Sequence, residues 1–380
     1  MSNVAIAREV GMSRTTIIRW LANDNDVYAD TRGWKEGVKR SHTDSEEERI
    51  VVLKQQRIDQ KKYFLGSPYI GMDYAKQYPY DPAPSLWFIA DVVRKHGLQT
   101  HEPKQRTKGQ SIVSRLKFPI ASIVNLGKIH QSSDFIGKKY IAGSREPVSV
   151  FSTSYYQWFQ LYQIYQVLAE KAEYAIERLT HFWERHPIPN VMRVDNGMTF
   201  RGTGRGVALI GRFVTFLLNM NVTPLFSAAY QSYTNPHIEG HNRTFTEKLW
   251  SKNHFTDRNE IDRECERFNA ESEEYFSFHF KERLAKKNIR FLSVNDIVDS
   301  DILRSTKGKK ICFIRFVERW KESDNRIGCV ILNRFVSIPE PYVNQYVLAT
   351  LDLGTAMLIV VSEYDRVPRT ILTIPFPYEA

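Results

Sequence analysis

The sequence predicts a multidomain α/β protein, and three observations lead to this fold class. Short helical patterns separated by polar and basic stretches fill the N-terminal part. The middle alternates short apolar runs with amphipathic helical patterns, as α/β domains do. Residues 308–380 are rich in Val, Ile, Tyr and Phe with regular turn residues, which predicts a small antiparallel β-barrel. The 380 residues are 42% hydrophobic, enough for two or three cores, so a disordered polymer is excluded.

Residues 1–42 are predicted to hold a helix-turn-helix unit followed by a linker. Apolar residues recur at helical spacing over residues 4–10, Gly11 follows as a turn residue, and Ser13 is a candidate N-cap for a second helix. An ordinary helical hairpin is the alternative interpretation. The second helix would present four polar side chains to a major groove: Arg14, Thr15, Thr16 and Arg19.

Residues 43–100 predict a second small helical domain. Thr43-Asp44-Ser45-Glu46 has the capping-box pattern and opens a helix that extends to about Gln60. A loop rich in Tyr, Pro and Gly follows, and Ser85 caps a helix from Leu86 to His96 that a glycine ends. We expect this domain to bind DNA, and a helical spacer is the alternative.

Residues 101–127 form a basic connector. Between Val92 and Lys128, eight basic residues stand against one acidic residue, a net charge of +7 in a chain whose overall charge is +10. Such a stretch predicts contact with a polyanion such as DNA, because each neutralised phosphate releases counterions. A solvated loop is the alternative. The candidate backbone contacts are Lys104, Arg106 and Lys108.

Residues 128–290 predict the α/β core. β-structure is expected from Lys128 to about Phe151, with turns at Gly137 and at Gly143-Ser144. The elements expected after it are, in chain order, a helix over Trp158–Trp183, a strand over Val191–Val194, a helix over Val207–Met220, a strand over Val222–Phe226, and helices over His241–Trp250 and Ile261–Lys287.

Acidic residues are scarce in this core, and the isolated ones are candidate metal ligands. Residues 103–145 contain a single acid, Asp134. Residues 185–238 contain a single acid, Asp195, against five arginines, and Glu239 follows at once. A site that binds phosphodiesters with a metal needs this composition, because arginines attract phosphate while a few carboxylates hold the cation.

Each carboxylate has a local context that suits a site. Asp134 lies in an extended segment, Asp195 ends a short strand, and Glu239 follows the helix-start pair Asn235-Pro236. A plain turn at Asp195 and a surface ion pair between Glu239 and Arg243 are the alternatives. The candidate DNA contacts on the last helix are Asn242, Arg243 and Lys248.

Two strand carboxylates and one helix carboxylate would suit two Mg²⁺ or Mn²⁺ ions. Such ions sit ~3.5–4 Å apart and stabilise the attacking and leaving oxygens of an in-line displacement. Competing chemistries lack their motifs, since the chain has no dinucleotide fingerprint, Walker loop, zinc-protease motif or nucleophile elbow. The glycine-rich run at residues 201–206 lacks the Lys-Ser/Thr ending of a phosphate-binding loop.

The segment from Asp134 through Val194-Asp195-Asn196-Gly197-Met198-Thr199-Phe200 to Asn235-Pro236-His237-Ile238-Glu239-Gly240-His241-Asn242-Arg243-Thr244 resembles the integrase catalytic core of bacterial insertion-sequence transposases and retroviral integrases. The resemblance implies an RNase H-like fold, transposition, and a DDE triad made of Asp134, Asp195 and Glu239. The flanking helical, basic and β-rich segments also resemble the arrangement of that family. The 43 residues between the last two acids exceed its usual spacing, and we assign the surplus to the glycine-rich run.

The cysteine content and the lengths of the apolar runs predict the cellular compartment. Three scattered cysteines are too few for a disulfide framework or a zinc cluster, which predicts a reducing environment. No apolar run approaches the ~20 residues that cross a bilayer, and the first residues lack the apolar stretch of a signal peptide. We therefore expect a cytoplasmic protein with no membrane partner, and the resemblance to insertion-sequence transposases implies a bacterial, nucleoid-associated one.

Together these features predict a DNA transposase that acts as a homo-oligomer. Its partners would be double-stranded DNA, both the terminal repeats of a transposon and the target. A metal-dependent nuclease that cuts without joining is one alternative. A catalytically silent, transposase-derived DNA-binding regulator is the other.

Overall fold

The computed structural model describes residues 2–21, 42–100, 118–141, 143–156, 159–202, 210–229, 231, 234–285, 289–293, 296, 298–320, 325–364 and 366–378. The predicted linker, Lys104, Arg106 and Lys108 of the basic connector, and most of the glycine-rich run lie outside the described residues.

Two short helices open the chain, α1 (Asn3–Glu9) and α2 (Arg14–Leu21). Gly11 between them has a φ of +68°, a left-handed backbone conformation that favours glycine. The Ser13 hydroxyl accepts a hydrogen bond from Thr16 N at 3.1 Å and so caps α2, as the sequence predicts. This geometry suits a helix-turn-helix and an ordinary helical hairpin alike.

Three further helices form the second helical unit, α3 (Asp44–Asp59), α4 (Ser67–Gln77) and α5 (Leu86–Lys95). The capping box of Thr43 and Glu46 opens α3, as predicted.

The loop predicted ahead of Ser85 contains helix α4 instead. Pro68 lies in the first turn of α4, where a missing N–H is tolerated. Ile70, Met72 and Tyr74 are buried. The Pro, Gly and Tyr content of this segment therefore marks a helix start and a packing surface.

Twelve strands are found in the described residues. In chain order they are β1 (His130–Tyr140), β2 (Pro147–Tyr155), β3 (Leu161–Val167), β4 (Val191–Val194), β5 (Thr223–Phe226), β6 (Lys310–Phe316), β7 (Glu318–Trp320), β8 (Arg326–Ile331), β9 (Arg334–Ser337), β10 (Tyr346–Asp352), β11 (Met357–Tyr364) and β12 (Val367–Pro375). Nine of them form one mixed sheet in the order β12-β11-β10-β6-β5-β4-β1-β2-β3, and β7-β8-β9 form a second sheet. The β1-β4, β4-β5 and β5-β6 pairs are parallel, and the other pairs are antiparallel.

The helices that follow the connector are α6 (Ile120–Val124), α7 (Ala172–Arg185), α8 (Met198–Arg201), α9 (Arg212–Asn219), α10 (Pro236–Thr244) and α11 (Arg258–Ala285). One face of the sheet packs on α7 and α9, whose Trp183 and Phe216 rings stack with centroids 5.4 Å apart. Helix α10 packs on the opposite face of β1 through Ile238, in one cluster with Ile136. None of the described helices is long and apolar enough to cross a membrane.

The helix predicted over Trp158–Trp183 is wrong in its first half. Strand β3 occupies this part of the chain, and α7 begins only at Ala172. Most residues of β3 are buried on both faces, and a strand of that kind lacks the apolar-polar alternation that separates strands from helices. The turn predicted at Gly137 is also wrong, because this residue lies inside β1 at a register shift, a β-bulge.

The C-terminal strands do not form the separate barrel that the sequence predicts. Strand β6 pairs in parallel with β5, so β6, β10, β11 and β12 extend the core sheet. The second sheet contributes Cys329 and Ile331 to the same apolar cluster as Phe313 of β6. The residue pattern within the C-terminal segment predicts antiparallel strands, but it does not predict that the first of them pairs with the edge of the core sheet.

Helix α11 covers the outer strand of the sheet, β3. The Asn269 amide accepts a hydrogen bond from Ile164 N at 2.8 Å and donates one to Ile164 O at 2.7 Å. The Ser272 hydroxyl accepts from Tyr162 N at 3.0 Å. These side chains satisfy backbone groups that an open edge would offer to another strand.

The same helix holds the second helical unit against the core. Buried Arg57 donates to Asp73 at 3.0 Å and lies 3.8 Å from Glu271. Glu271 in turn accepts from Tyr63 N at 3.0 Å. The unit is therefore packed on α11 through buried charge-assisted hydrogen bonds.

Candidate active site

Asp134 lies in the middle of β1 and faces α10. The Asn242 amide donates a hydrogen bond to Asp134 Oδ2 at 2.9 Å and accepts one from the Ser152 hydroxyl at 2.7 Å. At the start of α10, Ser132 donates to Asn235 Oδ1 at 2.8 Å. These bonds fix the helix to β1 and β2. Asn242 was predicted to contact DNA, but its amide is already used inside the protein.

Asp195 lies directly after β4, at a position that is only partly open to solvent. Its Oδ1 accepts a hydrogen bond from Gly197 N at 2.8 Å, which is the turn geometry that Asp favours. The next side chain, Asn196, donates to Ser227 O and accepts from Arg315 Nη2 at 2.8 Å. The turn that was the alternative interpretation is therefore present in the backbone. Among the described residues, none donates a hydrogen bond to Asp195 Oδ2.

Glu239 occupies the first turn of α10 and is half-buried. Pro236 begins the helix, as the Asn235-Pro236 pair predicts. Glu239 and Arg243, both described, form no ion pair with each other, so the surface-pair alternative is not observed.

Asp195 and Glu239 both act electrostatically on Asp134. Burial, then the charge of Asp195 and, less strongly, that of Glu239 raise the pKa of Asp134 to about 7, while hydrogen bonds from Phe135 N and Asn242 act in the opposite direction. Partial burial also raises the pKa of Asp195, against the hydrogen bond from Gly197 N. The geometry agrees with this, because the parallel β1-β4 register pairs Ser132 with Arg193, two residues before Asp134 and Asp195, and α10, the helix that carries Glu239, is hydrogen-bonded to Asp134 through Asn242.

The present side-chain positions do not form a closed ligand set. Across the described ranges, no group of three or more Asp, Glu, His or Cys side chains is arranged to hold a metal ion. Asp134 Oδ2 and Asp195 Oδ1 accept hydrogen bonds from Asn242 and Gly197. The donor types nevertheless fit Mg²⁺ or Mn²⁺, since these hard cations prefer carboxylate oxygens.

The predicted DNA contacts on α10 and beyond it differ in accessibility. Arg243 is exposed. Lys248 lies in a π-helical turn, Phe245–Leu249, and its Nζ stands 5.5 Å from the centroid of the Phe64 ring in the second helical unit. Burial and then the charge of Lys252 lower the pKa of Lys248. Lys248 is therefore half-buried against the second helical unit, and its contact with DNA stays a prediction.

The predicted base-reading residues lie on α2. Arg14 and Thr15 are exposed, and the Thr16 hydroxyl is hydrogen-bonded to that of Ser13 at 2.8 Å. The side chain of Arg19 lies outside the described residues. The Thr16 hydroxyl thus already takes part in the cap of α2, which reduces its capacity to hydrogen-bond a base.

Sequence reasoning missed two buried arginines near the site, Arg193 of β4 and Arg315 of β6, which are 5% and 6% exposed. Two guanidinium nitrogens of Arg193, Nε and Nη2, have no hydrogen-bond partner within the part of the chain that the structure describes. The signal was available in both cases, because each arginine interrupts a short apolar strand. A charged residue in such a setting needs partners or a function.

Comparison of the sequence with models of known families and with curated proteins finds no match. Among solved structures, the cryo-EM structure of a simian T-cell lymphotropic virus intasome in complex with PP2A regulatory subunit B56 gamma is similar to this chain, with a TM-score of 0.30 and 11% identity over 86% of this chain and 99% of that chain. The case for a function rests on the side chains of the site.

Proposed function

We propose that this protein is a DNA transposase of the integrase type. The observation that carries the proposal is the placement of three acids from otherwise acid-poor stretches: Asp134 on β1, Asp195 directly after the paired strand β4, and Glu239 on α10, which is hydrogen-bonded to Asp134 through Asn242. The resemblance of the segments around these acids to integrase cores agrees with this placement, and an RNase H-like core is part of the proposal.

The proposed reaction has two in-line steps. Water first attacks a phosphodiester at the transposon end, and the P–O3′ bond breaks to release a 3′-hydroxyl. That hydroxyl then attacks a phosphodiester of the target DNA and displaces the 3′-hydroxyl of the target strand. No covalent protein intermediate is needed.

The residues of the chain have separate roles in this proposal. Asp134, Asp195 and Glu239 would hold Mg²⁺ or Mn²⁺, most economically two ions, which when bound would stabilise the charge on the attacking and leaving oxygens. Asn242 orients Asp134 through its 2.9 Å hydrogen bond. Arg243, exposed one turn after Glu239, would contact the DNA backbone.

DNA binding is assigned to three parts of the chain. Helix α2 would read base edges of the terminal repeat through Arg14, Thr15 and Arg19, and the second helical unit would add contacts. The basic connector would supply affinity that does not depend on sequence, through Lys104, Arg106 and Lys108. Cutting and joining at paired ends would require a homo-oligomer.

The test is a joining assay with the amide variants Asp134→Asn, Asp195→Asn and Glu239→Gln. Each keeps its shape but loses the charge that offsets a dication, so cutting and joining of a labelled donor end should be abolished while end binding stays nearly unchanged. Arg369→Gln, at an exposed position on β12, is the control. Near-normal joining by Asp134→Asn in Mg²⁺ would show that the triad is wrong.

The same assay separates the two alternatives. A metal-dependent nuclease releases fragments and joins nothing, whereas a silent regulator leaves donor and plasmid intact. The presence of all three acids, on β1, directly after β4 and on α10, favours an active enzyme over the regulator.

A further inference from the structure

Arg315 connects the C-terminal strands to the loop that carries the second acid. Its guanidinium donates to Val330 O at 2.8 Å, to Ser227 O at 3.0 Å, to Ile314 O at 2.8 Å and to Asn196 Oδ1 at 2.8 Å. Ser227 O also accepts from the Asn196 amide. One side chain therefore links β6, β8, the loop after β5 and the loop after β4.

This arginine is buried without a carboxylate partner among the described residues. Burial lowers the pKa of Arg315 to about 10, so the guanidinium still carries its charge at neutral pH. Placing an unpaired cation in the interior is unfavourable unless its N–H groups are satisfied, and here backbone carbonyls and one amide satisfy them. A planar guanidinium suits this arrangement because it donates in several fixed directions, which a lysine ammonium cannot reproduce.

The contact with Asn196 bears directly on the site. Asn196 follows Asp195 in the chain, and its side chain makes hydrogen bonds that fix the loop to structure outside it. The hydrogen bond from Gly197 N to Asp195 is internal to the loop, and Gly197 O accepts from Phe200 N and Arg201 N of the following helix α8. The position of the Asp195 carboxylate therefore depends on an anchor that the C-terminal strands provide.

We propose that Arg315 is a positioning residue for Asp195, so that strand β6 is an integral part of the active site. The inference rests on the proposed function for its link to metal binding. Groups that orient the ligands of a metal typically change its affinity by about 10- to 100-fold when they are removed. The C-terminal strands would thus contribute to catalysis without touching DNA or metal.

The first test measures the loop itself, without metal or DNA. Backbone amide exchange should become about tenfold faster or more at residues 195–197 in Arg315→Lys than in the wild-type protein. Asn196→Ala cuts the same link from the loop side together with the bond from Asn196 to Ser227 O, and it leaves the other bonds of Arg315, so it should give at least the same acceleration. Tyr378→Phe is the matched control, because it removes a hydrogen bond to Leu353 O elsewhere in the C-terminal strands.

The outcomes separate the positioning role from general destabilisation. Unchanged exchange at residues 195–197 in a folded Arg315→Lys, or an equal acceleration in Tyr378→Phe, overturns the inference. If Arg315→Lys does not fold, Asn196→Ala decides by the same criterion. The double variant should be no faster than the faster single variant, because both changes cut one link.

A second measurement tests whether the anchor of the loop affects metal binding. Mn²⁺ binding, followed by electron paramagnetic resonance, should weaken by about 10- to 100-fold in Arg315→Lys and Asn196→Ala and stay unchanged in Tyr378→Phe. End-DNA affinity should stay within about twofold in all three. Faster loop exchange in a protein whose wild type binds no Mn²⁺ would support the positioning role and overturn the proposed function, so the two can fail separately.

Discussion

Asp134 is a half-buried acid beside two others, and its environment disfavours its charge. Its pKa in the folded protein, about 7, lies above the value of about 4 expected in the unfolded chain. Below pH 4 the group is protonated in both states. As the pH rises through 7 the folded state comes to bear the unfavourable charge, so this group lowers stability at high pH.

We therefore expect Asp134→Asn to stabilise the protein in a chelating buffer at pH 8, on the order of 2 kcal/mol, and to have little effect near pH 4. Thermal unfolding at several pH values measures the difference. Exposed Asp59→Asn is the control. Addition of Mg²⁺ should raise the midpoint of the wild-type protein more than that of Asp134→Asn, because only the former keeps all three ligands. Destabilisation by Asp134→Asn at pH 8 would contradict this account.

At the scale of elements, side chains from distant segments complete the ends and edges of helices and strands. Glu363 of β11 is 8% exposed and accepts hydrogen bonds from Ala121 N at 3.1 Å, Ser122 N at 2.9 Å and the Ser122 hydroxyl at 3.1 Å. A carboxylate at this position satisfies free N–H groups in the first turn of α6. The C-terminal strands are thereby fixed to the segment that leads into β1.

Glu363→Gln should lower the free energy of unfolding by about 1–2 kcal/mol, since the amide keeps one acceptor oxygen and loses the charge. Denaturant unfolding measures this value. The control is Glu340→Gln, which breaks an exposed ion pair with Arg319 and should change stability by less than about 0.5 kcal/mol. Equal effects of the two variants would show that the contact with α6 contributes nothing beyond an ordinary surface charge.

The elements also show what a sequence can reveal. The capping box at Thr43, the glycine turn at Gly11 and the strand before Asp195 were predicted because their signals are local. Strand β3 was taken as helix because burial on both faces removes its alternation. The three acids were found from their isolation in the sequence, whereas Arg315 and Asn242 acquire their roles only through contacts between distant segments.

At the scale of the whole molecule, two histidines that resist protonation in the folded state make the protein less stable in acid. Burial lowers the pKa of both His130 and His241 to about 4, against about 6.5 in an unfolded chain. As the pH falls below 6.5 the unfolded state takes up protons that the folded state does not. The stability that these residues provide near neutrality is therefore lost between pH 6.5 and about 4.

Each such histidine should add up to about 1.4 kcal/mol per pH unit to the loss of stability over that interval. His130→Gln should make the unfolding free energy less steep in pH between 6.5 and 4.5, and exposed His181→Gln should not. Denaturant titrations at half-unit steps of pH provide the slopes. An unchanged slope in His130→Gln would mean that the folded and unfolded states take up this proton over the same pH range, which contradicts a lowered pKa.

Strand β6 lies between β5 and β10, although most of the core sheet is encoded far ahead of it. A chain still emerging from the ribosome therefore has β4 and β5 in place while the far edge of β5 is open, and it stays open until β6 has been synthesised. A truncated product that ends before β6 would keep that edge permanently and would be prone to aggregate. If Arg315 holds the Asp195 loop, a partly translated protein also lacks an ordered site, and the proposed cutting of DNA would stay switched off until β6 has been synthesised and has paired with β5.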